Sequence, residues 1–254
     1  MNSIDITSVL HAQVPAVDSH SWRAVVINLI DDRERRQWMC RQLEQARVGF
    51  SILRAKTGPE ARRRFPDKLQ RLRLTSGEIG CWGSHLTIAA QLASGAMAEP
   101  VLVLEDDVGL PEDLADVIDA LIERLPCDWD IVHLSGHPKR GYSLVTPLGD
   151  DHAVVTYGRV PHGTGAYLLR KKGAEKILRM NPGIFAIDQC LARYARFGLT
   201  TYGVFPPPIR RDCLPSRIDA IESGRRQRLK SFGWKMRNLM QKLFDRLRPP
   251  NLRD

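Results

Sequence analysis

The sequence predicts an α/β fold, a mixed sheet flanked by helices in a single domain, and three observations carry that reading. Short aliphatic runs alternate with amphipathic stretches through the first half. The 254 residues, 43% of them hydrophobic, suffice to bury a large core. Three acids gather where one aliphatic run ends, the position at which open α/β sheets bind ligands.

Taken in order, WRAVVINLI (Trp22 to Ile30) predicts a buried strand, DDRERRQWMCRQLEQARV a helix, and FSILRA a second strand, a β-α-β opening. After a basic stretch, TSGEIGCWGSHLTIAAQLASG predicts a helix capped by Thr75 or Ser76, with Gly77, Gly80 and Gly83 suited to close packing. It leads into the strand Val101 to Leu104. PEDLADVIDALIERL is an amphipathic helix with Pro111 and acids in its first turn, and DWDIVHLSG a further strand. The second half is less regular. HAVVTYG, TGAYLLR and TYGVF predict short strands, with helices over about 171–180 and 188–196, so a mixed sheet stands beside a parallel half.

The net charge of +9 is localised. Residues 225–248 hold nine Lys/Arg against Asp245, and residues 54–73 hold eight against Glu60 and Asp67, so the rest of the chain is acidic. A uniformly basic nucleic-acid binder would look different, and no nucleic-acid partner is expected. The five cysteines are odd in number, widely spaced and without a C-x-x-C pair, which suits reduced thiols. No apolar run reaches the roughly 20 residues of a membrane span, and the first 20 residues lack a signal-peptide pattern. The expected organisation is a loose leader (1–20), a domain (21–222) and a basic amphipathic tail (223–254). In the tail Leu229, Phe232, Met236, Leu239, Met240, Leu243, Phe244 and Leu247 recur at helical spacing among the basic residues. Such a helix either packs on the domain or attaches residues 225–248 to an anionic membrane surface; the expected location is cytoplasmic, on the inner face of the membrane.

Glu105, Asp106 and Asp107 follow VLVL directly. Three like charges at one strand end repel, and each must shift its pKa, find water or find a cation. A Mg²⁺ or Mn²⁺ ion held by carboxylate oxygens, with its open positions on a diphosphate, would relieve the crowding. The alternative is a polar turn that opens the next helix.

In this order, AVVINLIDDRERR, LTSGEIGCWGSHLTIAAQL, VLVLEDDV, HGTGAYLLRKKGAEKIL and AIDQCLARYARFGLTTYGVFPPP resemble the successive blocks of glycosyltransferase family 25, across roughly Ala24 to Pro208. The resemblance implies a GT-A-like, Rossmann-like fold, a UDP-sugar donor (galactose foremost), Mn²⁺ or Mg²⁺, and inversion at the anomeric carbon. It also implies a lipid-linked saccharide acceptor such as lipopolysaccharide core. By position, Asp107 is the implied metal ligand, assisted by Glu105, and Asp106 belongs to the donor-binding acidic motif. Asn28, Arg33 and Arg36 match the block lining the nucleotide, or are a strand-ending amide and solvated helix charges. His85 would contact the donor sugar or orient an acid, or is structural. Asp188 would be the base that takes the acceptor proton, or simply caps its helix. Gly163, Thr164, Gly165 and Tyr167 would shape the sugar and acceptor pocket, although Tyr167 equally suits the core. An inactive, binding-only relative and a nucleotidyl transferase are the alternatives, the latter disfavoured because the chain lacks a G-x-G-x-R opening loop.

Overall fold

The strand that opens the domain, β2 (Arg23–Asn28), is buried at every position after Arg23, because both faces of the sheet are covered. The computed structural model describes residues 9–10, 20–138, 141–193, 197–211 and 213–214. Helix α1 (Arg33–Gln45) returns the chain to β3 (Phe50–Arg54), parallel to β2, and completes the β-α-β unit. Helices α2 (Gly58–Arg64), α3 (Pro66–Leu69) and α4 (Ser76–Ala93) then lead to β4 (Val101–Glu105), parallel to β2 on its other side. Helix α5 (Leu114–Arg124) precedes β5 (Ile131–His133). A hairpin of β6 (Tyr142–Leu148) and β7 (His152–Tyr157) follows, then β8 (Ala166–Leu169), α6 (Lys171–Arg179), α7 (Ile187–Leu191) and β9 (Thr201–Phe205). With β1 (Val9–Leu10) at one edge, the nine strands of the described residues run in the order β1-β3-β2-β4-β8-β5-β9-β7-β6.

The sheet is mixed because β8 is antiparallel to both of its neighbours, β4 and β5. One face packs Val26, Leu102, Leu104 and Leu168 against Met39 and Leu43 of α1 and Ile118 and Leu121 of α5. The other packs Val25, Ile27, Val103 and Leu169 against Ile79, Trp82 and Leu86 of α4 and Ile177 of α6. Thr75 caps α4 in a reciprocal pair with Glu78, as the sequence implies. A Cβ on Gly80 would stand 2.3 Å from the Lys56 carbonyl oxygen, and one on Gly83 would stand 2.3 Å from Ala61 Cβ. These two glycines therefore set the close approach of α4 to the 56–61 segment, as expected.

Three elements differ from the sequence reading. The basic stretch 54–73, to which the sequence reading assigns no element, holds α2 and α3, and Arg62 donates to the carbonyls of Leu69, Gln70 and Leu72. The edge strand β6 was not foreseen, because its side chains are mostly exposed and give no alternating pattern. Helix α7 is only five residues long. The tail 223–254 and all of the leader except residues 9–10 and His20 lie outside the described residues. Among the described residues no helix is long and apolar enough to cross a membrane.

Candidate functional site

The carboxyl ends of β2, β3 and β4 open onto a cavity of about 350 Å³, walled by Ile27, Arg35, Lys56, the first turns of α2 and α4, and Glu105 to Asp107. The first turn of the 18-residue α4 contributes Ser76 and Gly77, so a helix end carrying partial positive charge faces the space. Cys81, Ser84 and His85 extend the same wall.

The three acids divide. Arg35 donates to Asp106 Oδ1 at 2.8 Å and Asn28 Nδ2 donates to Asp106 Oδ2 at 2.8 Å. Burial raises the Asp106 pKa, and these two donors oppose it without cancelling it. Asp107 lies 3.9 Å from Arg35 Nη1 and lines the cavity. Glu105 accepts from Thr164 Oγ1, with His85 Nε2 3.6 Å away. Burial pushes the Glu105 carboxyl up, but His85, Thr164 and Arg211 outweigh it and leave it below its ordinary value. Glu105, Asp106 and Asp107 all line the cavity, and carboxylate oxygens there fit a hard cation that takes its other positions from phosphate and water.

Several expected donor contacts are corrected. Asn28 is 1% exposed and spends its amide on Asp106, the Asp32 carbonyl and Arg36, so it braces the acidic turn instead of lining the cavity. Asp106, by contrast, lines the cavity while it accepts from Arg35 and Asn28. Arg36 bonds Asn28 and the Ile30 carbonyl, Arg33 is exposed, and neither lines the cavity. The arginine on the cavity wall is Arg35, which shares a helix stripe with buried Met39 and Leu43. Tyr167 is 1% exposed on the central strand β8; it offers no face to a sugar and instead meets His85 Nδ1 at 2.7 Å. Burial holds its hydroxyl well above the usual tyrosine range.

Gly163, Thr164 and Gly165 lie beside the acidic turn. The Glu105 amide donates to the Gly165 carbonyl at 2.8 Å, and Gly163, at φ +120°, lies against the Arg211 guanidinium. Arg211 donates to the His162 carbonyl. On this loop the His162 ring stands 3.9 Å from Asp188 Oδ2. Asp188 lies outside the cavity lining and is connected to Glu105 through residues 162–164. Arg211 is a residue that pattern reading misses, since the segment after Pro206 to Pro208 has no periodicity.

Residues 23–144, which hold β2 to β5 and the whole acidic turn, match the model of glycosyltransferase family 25, described as an LPS biosynthesis protein. The stretch resembles glycosyltransferase family 25. The family-25 match ends before Gly163, Thr164, Gly165, Tyr167 and Asp188. The human protein named inactive glycosyltransferase 25 family member 3 is 33% identical over 116 residues, covering 43% of this chain and 18% of that protein. Human procollagen galactosyltransferase 2 is 24% identical over 220 residues, covering 70% of this chain and 34% of that protein. Zebrafish (Danio rerio) procollagen galactosyltransferase 1 is 24% identical over 179 residues, covering 62% and 28%. The chain thus spans about a third or less of the length of these relatives.

Proposed function

We propose that the chain is an inverting, metal-dependent hexosyltransferase that moves a sugar, galactose foremost, from a UDP-sugar to a lipid-linked saccharide such as lipopolysaccharide core. The observation that carries this reading is a cavity at the carboxyl ends of parallel strands, inside the family-25 stretch, with Glu105 and Asp107 on its wall.

Asp107 and Glu105 would hold Mn²⁺ or Mg²⁺; when bound, the ion neutralises the charge that develops on the departing diphosphate. Arg35 and Asn28 fix the acidic turn by anchoring Asp106. Lys56 and the α4 amino end favour an anion in the cavity. Asp188 takes the proton of the acceptor hydroxyl, with His162 beside it to orient the carboxylate. Gly163 leaves room for the Arg211 guanidinium, and Gly165 packs against Val108 and Ser135, so the two glycines seat the loop beside the acidic turn.

The relatives named inactive favour a second reading, in which the fold binds a nucleotide or saccharide without turnover. Release of UDP from a nucleotide-sugar panel separates the two, because slow donor hydrolysis needs no acceptor. Attachment of residues 225–248 to an anionic membrane surface belongs to the same proposal and rests on charge and spacing alone. Removal of residues 225–254 is expected to weaken binding to vesicles containing anionic lipid, and equal binding by the shortened chain would return the tail to a packing role.

A further inference from the structure

The Nε2 atom of His85 is buried and has no hydrogen-bond partner among the described residues. It points to Glu105 Oε1 across 3.6 Å, too far for a hydrogen bond. Cys81, one helical turn before His85 on α4, brings its sulfur to the same place, and the three ligand atoms lie within 4.8 Å of one another. The nitrogen lies on the cavity wall, where a bound cation would complete its bonding.

We propose that Cys81, His85 and Glu105 form a binding site for a borderline-soft divalent cation, zinc foremost. Zinc binds cysteine sulfur at about 2.3 Å and histidine nitrogen or carboxylate oxygen at about 2.0–2.2 Å, which places tetrahedral neighbours about 3.3–3.6 Å apart. The His85 to Glu105 separation matches that spacing. The surrounding bonds suit the site as well. His85 Nδ1 is engaged with the Tyr167 hydroxyl, which leaves Nε2 as the ligating lone pair, and Thr164 holds Glu105 by the oxygen that faces His85. All three ligands line the cavity, so the fourth position opens to a water or an anionic oxygen.

A thiolate and an imidazole disfavour Mg²⁺, which distinguishes this site from the carboxylate pair proposed above. Glu105 belongs to both ligand sets, so zinc here and a hard cation on the Glu105–Asp107 pair compete for the same carboxylate. The inference stands whether or not the chain transfers a sugar.

The test is Co²⁺ titration of the untagged full chain after chelator treatment, with exposed Cys127 and Cys213 changed to serine. One Co²⁺ per chain is expected, with the near-ultraviolet charge-transfer band of a cobalt–thiolate bond and displacement by Zn²⁺. Cys81→Ser should abolish the band and weaken Co²⁺ binding at least tenfold; Glu105→Gln should weaken binding with the band retained; Asp107→Asn should leave the band unchanged. No stoichiometric binding, binding without a thiolate band, or a band that survives Cys81→Ser overturns the proposal. None of these readouts depends on sugar transfer.

Discussion

Arg35 holds Asp106 at 2.8 Å, and this ion pair anchors the middle carboxylate of the Glu105–Asp106–Asp107 turn at the cavity wall. The pair is largely buried, with 8% and 13% of the two side chains exposed. Replacing one partner leaves the other charge stranded. Arg35→Met should therefore cost about 3 kcal/mol of stability, read as a lower urea midpoint; a loss under about 1 kcal/mol would show that Asp106 finds another partner.

Asp107 carries the metal-dependent chemistry on this account. Asp107→Asn should lower metal-supported donor turnover by about 10²-fold or more while the circular dichroism spectrum and melting temperature stay close to those of the parent chain. Turnover within about threefold of the parent chain would remove Asp107 from the site.

Much of this was legible in the chain, and the residues show why. Strands β2 to β5 and helices α1 and α4 follow aliphatic runs and capping signals that are local, and the acidic turn sits where topology puts ligands. The identity of the useful arginine was also within reach. Arg35, Met39 and Leu43 share one helical stripe, so Arg35 had to face the sheet while Arg33 faced solvent. Tyr167 was ambiguous because β8 is buried on both faces and carries no alternation. The contacts of Arg211 with the 162–164 loop and of Asp188 with His162 come from segments with no period, brought together only by tertiary packing.

His133 supplies a pH dependence. It is 2% exposed, and burial together with Arg211 lowers its pKa to about 4. The unfolded chain, with the ordinary value near 6.5, binds a proton that the folded chain refuses. The stability this neutral imidazole preserves is full above about pH 6.5 and is lost as pH falls toward 4, by roughly 2–3 kcal/mol. His133→Asn should flatten that part of the stability profile; an unchanged slope between pH 6.5 and 4 would assign it to other groups.

Asp130 is fully buried, pairs with Lys176 and accepts from the Thr200 amide at 2.7 Å, tying α6 to the β9 approach. Lys176→Met should destabilise the fold by about 3 kcal/mol, whereas the double change Lys176→Met with Asp130→Asn should recover part of the loss. Thermal unfolding of the two variants reads the difference, and equal melting temperatures for them would argue against a coupled pair.

Donor hydrolysis by the purified full chain, across a panel of nucleotide sugars with Mn²⁺, Mg²⁺ or EDTA, tests the central claim most directly. The account predicts UDP release from one UDP-hexose, supported by Mn²⁺ or Mg²⁺ and abolished by EDTA. No release from any donor, with no nucleotide binding by calorimetry, would contradict it.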